Sequence, residues 1–231
     1  MGTTENPATE APKPQTTAHV SIDEQIGKMK LTFANARLPE IFEPMKTVGY
    51  TEEKIGALQT ELNVLEVKHQ ACTKEYADQY AETDKFNTKQ TEVDSVYSKH
   101  RELAKIVFKA NVLARAALKL DETKPRLYTS WLQQAANFYA QLGTTPDLQA
   151  KASTVGITAE AVTAQKQGLA DLQAIKESQR KEMAEAQAAT DARDHAFDTL
   201  YPKYSEYIKY AKIILSNNQA LEAIGVKVKA K

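Results

Sequence analysis

This 231-residue sequence predicts an all-α fold, an elongated four-helix-type bundle or antiparallel coiled coil with two long helices and two shorter ones. Three observations lead there. Thr47-Val48-Gly49-Tyr50-Thr51 returns as Thr154-Val155-Gly156-Ile157-Thr158, and an ungapped comparison at that offset of 107 residues gives 19 identities in 62 positions. A repeat of this length marks an internally duplicated structural unit. Between Thr51 and Leu120 there is no Pro and only one Gly, Gly56, while apolar residues recur at intervals of three and four. The composition, 42% hydrophobic and 26% charged with 8 Gly and 8 Pro, also suits helices around one good core or two small ones.

Residues 1–20 are rich in Thr, Pro, Ala and Glu and lack periodic apolar positions, so they read as a flexible tail. Ser21 with Glu24 has capping-box spacing, and Ile22, Ile26, Met29 and Phe33 follow at helical intervals. A helix is therefore expected to start at Ser21. Pro39 ends or restarts it, because proline lacks the N–H that continues a helix. A short piece from Pro39 to about Lys46 should stop at Gly49, which tolerates the left-handed conformation of helix ends, and Thr51 should cap the next helix.

The first long helix is expected over about 51–120, with Ile55, Leu58, Leu62, Leu65, Cys72, Tyr76, Phe86, Val93, Tyr97 and Val107 forming a heptad seam. At 1.5 Å per residue it would extend on the order of 100 Å. Asp121 to Pro125 punctuates its end, either as a hairpin or as a kink that continues in the same direction. A shorter helix over about 125–142 carries Leu127, Trp131, Leu132, Phe138 and Tyr139. Pro146 stands at the offset of Pro39, and the second copy then repeats the plan with a long helix over about 158–216. Pro202 is expected to kink that helix. Alanines from Ala184 to Ala196 should let a partner helix approach closely. A last turn through Leu221 and Ile224 ends at Gly225, leaving 226–231 as a basic tail. The whole of 21–225 reads as one duplicated bundle domain, with repeats over about 21–120 and 125–225, whose long helices run antiparallel between the shorter ones.

Lys plus Arg equals Asp plus Glu, 30 against 30, so no global field recruits nucleic acid or an anionic surface. No apolar run approaches the ~20 residues of a membrane span, and the first residues lack the pattern of a secretory signal. A single cysteine, Cys72, makes no internal disulfide. The cytoplasm is the default expectation, with leaderless export left open.

Glu66 and His69 have the Glu-x-x-His spacing of di-iron bundles, but their counterparts in the second copy, Gln173 and Lys176, cannot repeat the ligand set. His69 falls on the seam and reads as a hydrogen-bonded packing histidine. Asp191, Asp194 and His195 form a second polar cluster, and His100 beside Arg101 and Glu102 a third; solvated helix faces are the expectation for both. No metal or cofactor is expected.

Tyr201, Tyr204, Tyr207 and Tyr210 are the densest aromatic feature. A spacing of three drifts around a helix, so some should be buried and some are candidates for a contact surface. Thr83-Asp84 and Thr190-Asp191, the same pair in both copies, suggest a polar layer that sets the register of the long helices. With no nucleophile-base pair or phosphate loop in view, the sequence favours a non-enzymatic scaffold or self-assembling subunit whose partner is a protein, including further copies of itself. A membrane-active protein of the pore-forming type and a metal-binding helical enzyme are the alternatives.

Overall fold

The structure is a computed structural model in which residues 20–228 are described. Of the expected tails, only residue 20 and residues 226–228 fall within that range. Among the described residues there are eight helices and no strand: α1 Ile22–Asn35, α2 Pro39–Lys46, α3 Glu52–Val107, α4 Val112–Ala117, α5 Tyr128–Thr144, α6 Pro146–Ser153, α7 Ala159–Ile214 and α8 Asn218–Ala223. The protein is an all-α helical bundle in which the two long helices pack together.

Local chemistry accounts for most boundaries. The Ser21 side chain accepts from the Glu24 amide at 3.2 Å and starts α1. Leu38 is extended, as a residue before proline prefers, and Pro39 occupies the first turn of α2. Gly49 (φ +89°) ends α2, with the Tyr50 amide reaching back to the Met45 carbonyl at 3.2 Å. Thr51 then accepts from the Lys54 amide at 3.3 Å and opens α3.

The segment 107 residues further on shows the same steps. Gly156 has φ +84°, the Ile157 amide reaches the Ala152 carbonyl at 3.2 Å, and Thr158 accepts from the Ala161 amide at 3.2 Å. α2 and α6 have 8 residues each, and α3 and α7 have 56 each.

One boundary departs from the expectation. α3 stops at Val107 and not near residue 120, because Asn111 turns its side chain onto the Ala114 amide at 3.0 Å and caps the separate helix α4. Asn217 caps α8 in the same way, accepting from the Gln219 amide at 3.0 Å. α7 spans Ala159–Ile214 with Pro202 inside it.

By packing, the chain groups into two compact units: residues up to 67 with 195 onward, and residues 68–194. Each draws on residues from both halves of the chain. The first unit combines α1, α2 and the start of α3 with the end of α7 and α8. Its core is built from Met29, Phe33, Ile41, Met45, Tyr50, Ile55, Leu62, Leu65, Leu200 and Tyr207, among others. The second combines α5, α6 and the start of α7 with the rest of α3 and α4, around Phe86, Val93, Tyr97, Trp131, Phe138, Tyr139, Leu142, Val162, Leu169 and Leu172.

Within each unit the long helices are antiparallel. In the first, Lys203 Nζ meets Glu61 at 2.6 Å. In the second, Gln179 Nε2 donates to Thr83 Oγ1 at 3.1 Å, and Cys72 Sγ lies 3.6 Å from Thr190 Oγ1. The buried positions of α3 keep heptad spacing, but Tyr76, expected on the seam, is exposed.

The connection into α5 is neither of the two arrangements expected. After α4 the chain folds back along α3 as a strap, with Arg101 at Lys119 and Leu120, Lys124 at Asp94 and Ser98, and Tyr128 packed on Phe86. α5 then returns parallel to α3, so that Trp131 meets Asp94 and Tyr139 meets His100.

Candidate functional site

The four tyrosines of α7 divide by phase. Tyr207 is fully buried, packing edge-on against Tyr50 with ring centroids 4.9 Å apart and against Phe33 at 6.1 Å. Tyr204 is half-buried against Phe33, whereas Tyr201 and Tyr210 reach the surface. A contact surface made of all four is therefore excluded, because a step of three residues falls about 60° short of a full turn and carries Tyr207 into the core. The hydroxyls of Tyr50 and Tyr207 are enclosed without a hydrogen-bond partner. Burial pushes the Tyr207 phenol up to about 12 and raises Tyr50 as well. Beside Tyr50 lies a small cavity of about 210 Å³ bordered by Lys54, Leu58, Glu61 and Lys203; the Lys54 ammonium sits 4.0 Å above the Tyr50 ring.

The Thr-Asp pairs sit in the second unit and split in two. Both threonines face the opposing long helix: Thr83 accepts from Gln179, and Thr190 lies against Cys72 while donating to the Ala186 carbonyl at 2.9 Å. Gln179 and Cys72 are themselves counterparts at the 107-residue offset, so the two contacts are equivalent. Asp84 and Asp191 point to solvent, and Asp191 accepts from Gln187 on its own helix at 2.8 Å. The polar layer consists of the threonines and their partners, without the aspartates.

The candidate metal ligands are dispersed. Glu66 pairs with Lys30 at 2.6 Å, and His69 is half-buried on α3. Asp194 holds Arg193 at 2.7 Å, and the His195 side chain is exposed. An acidic trio that the sequence reading did not single out, Glu75, Glu182 and Glu185, brings carboxylate oxygens within 4.8 Å of one another. Two of the three also face lysines, Lys74 near Glu75 at 3.4 Å and Lys181 near Glu185 at 3.3 Å.

The most elaborate polar arrangement is one the sequence reading placed in solvent. His100 and Arg101 are both buried. Arg101 donates to Gln134 Oε1 at 2.8 Å, to the Lys119 and Leu120 carbonyls at 3.0 and 3.2 Å, and to the Glu122 carbonyl. Tyr97 donates to the same Gln134 oxygen at 3.0 Å, and Trp131 Nε1 donates to Asp94 at 2.7 Å. His100 Nδ1 lies 3.1 Å from the Tyr139 hydroxyl; burial lowers its pKa, with Lys99 adding to the effect. These groups bind the strap to α3 and α5. The signal that could have found Arg101 is its phase: it stands four residues after Tyr97 and three before Ala104, both core positions. In the second copy that position is Ile208, so the arrangement belongs to one unit only.

No protein-family model, no curated protein and no solved structure matches this chain. No helix among the described residues is long and apolar enough to cross a membrane.

Proposed function

We propose that this protein is a non-enzymatic interaction protein, a helical scaffold or self-assembling subunit that arose by tandem duplication of one helical unit. The observation that carries this reading is that both compact units hold the same set of elements: two leading helices, the start of one long helix, the end of the other and a short capped helix. A chain that carries two like modules can engage two like partners, and joining two modest contacts in one chain raises avidity without any new contact. The buried and half-buried polar groups support the same reading, since Thr83, Arg101, Gln134 and Asp94 make hydrogen bonds that hold separate elements together. Exposed Tyr201 and Tyr210 in the first unit offer the amphipathic rings that protein interfaces favour.

Size-exclusion chromatography with light scattering, over a concentration series, tests this. The expected result is a mass that rises above the 25.6 kDa of one chain, and that rises less after Tyr201→Ala with Tyr210→Ala. A mass of one chain at every concentration would remove the self-assembling form of the reading and leave the scaffold for foreign partners.

A further inference from the structure

Among the described residues, the four most exposed large aliphatic side chains are Leu113 at 84%, Ile213 at 79%, Val112 at 77% and Ile106 at 71%. Three of them share one corner of the second unit, where α3 ends and α4 begins. The fourth, Ile213, is the counterpart of Ile106 in the other unit. The other three, Ile106, Val112 and Leu113, lie close together in sequence and are left uncovered by the described residues.

The charged residues within this corner's own stretch of sequence are all basic. From Leu103 to Leu120 the sequence contains Lys105, Lys109, Arg115 and Lys119 and no acidic residue, although the whole chain is neutral. Acids appear only at its flanks, where Glu102, Asp121 and Glu122 pair with Lys105, Arg115 and Lys119. Exposed pairs of this kind are worth little and give way readily to another anion. The one aromatic residue of the stretch, Phe108, is buried. Protein interfaces concentrate aromatics and methionine and are poor in lysine, whereas this corner carries lysines and no exposed aromatic or methionine. Aliphatic tips with long basic side chains beside them match the boundary between acyl chains and anionic headgroups, where the tips enter and the ammonium groups stay at the phosphate level.

We propose that the α3–α4 corner, with Ile106, Val112 and Leu113 as its tips and Lys105, Lys109 and Arg115 beside them, docks on an anionic lipid surface. The attachment is shallow and reversible, because three side chains enter and no helix spans the bilayer. It requires no change in fold, since the tips already face outward.

Co-sedimentation of the full chain with phosphatidylcholine vesicles, plain or with about a third phosphatidylserine, tests the assignment at low salt and at roughly 0.15 M. The expected result is binding to the serine-lipid vesicles alone, weaker at the higher salt. Val112→Ser with Leu113→Ser should weaken it about tenfold or more. Both positions are exposed, so the circular dichroism melt of this variant should match that of the parent chain. Lys105→Gln with Lys109→Gln should weaken binding as well while leaving the aliphatic tips in place. Equal binding to both vesicle types, no binding at either salt, or an unchanged affinity in the serine variant would overturn the proposal. If the serine variant instead abolishes self-association of a chain that ignores vesicles, the corner belongs to a second copy of the protein and the lipid assignment fails.

Discussion

Tyr207 shows how a single residue can be buried at a cost. Its ring fills the first unit between Phe33 and Tyr50, while its hydroxyl has lost water and gained no partner. An unmade hydrogen bond of this kind costs about 1–3 kcal/mol, so removing the hydroxyl removes the penalty along with the group. Tyr207→Phe should leave the denaturant midpoint near neutral pH unchanged or higher. The alkaline side carries a sharper expectation. Burial pushes the folded phenol up to about 12, from an ordinary value of 10.0, so the unfolded chain gives up its proton first. Stability from this group is full below pH 10 and falls as the pH rises toward 12. Tyr207→Phe should flatten that decline, which paired urea melts at about pH 8 and about pH 11 would measure; a slope identical to that of the parent would contradict the burial described here.

At the scale of elements, the ends of the helices are where sequence chemistry and backbone conformation can be compared between copies. Gly225 ends α8 with φ +79°, and the matching position after α4 is Lys119 with φ +50°. Both sit in the same motif, with Val226 bonded back to Leu221 at 3.0 Å and Leu120 back to Arg115 at 2.9 Å. A side chain held left-handed costs about 1 kcal/mol, so Lys119→Gly should stabilise the protein by that order, whereas Gly49→Ala should destabilise it by about 1–2 kcal/mol. No atom lies within 4 Å of a Cβ built at Gly49, which makes its expected loss purely conformational. Thermal melts of the two variants should move in opposite directions.

The strap offers a larger effect. Arg101 is the common donor for three strap carbonyls and Gln134, so Arg101→Met leaves these acceptors without their charged partner. The expected loss is about 2–3 kcal/mol, with amide exchange accelerating first across residues 118–124. A melt unchanged from the parent would mean that solvent replaces the guanidinium at no cost.

For the molecule as a whole, the two cores are built alike but titrate differently. His100 stands in the second core against Tyr139, and its counterpart in the first is Tyr207. Burial lowers the pKa of His100 below 6.5, so the folded state keeps it neutral while the unfolded chain takes up a proton near that pH. Its contribution is therefore full above pH 6.5 and is lost as the pH falls below it. Acidification should loosen the second unit ahead of the first. Segment-resolved hydrogen exchange, corrected for intrinsic rates, should show protection in α5 falling relative to α1 between about pH 7.5 and pH 5.5. His100→Gln should abolish the difference.

How much of this was legible in advance depends on the distance over which each feature is determined. The helical class, the starts at Ser21, Pro39, Thr51 and Thr158, the left-handed glycines and the heptad face follow from side chains acting within one or two turns. The sequence by itself therefore determined them, twice over in a repeated chain. The tertiary structure alone decided that α5 returns parallel to α3, that Arg101 and His100 are buried, that Tyr207 is core while Tyr210 is surface, and that each unit takes residues from both halves of the chain. Those outcomes rest on contacts between residues separated by some 20 to 190 positions, such as Arg101 with Lys119, His100 with Tyr139 and Thr32 with Ile224. Periodicity shows which face of a helix will be covered; what covers it is settled only when distant segments compete to bury their apolar surface and satisfy their polar groups.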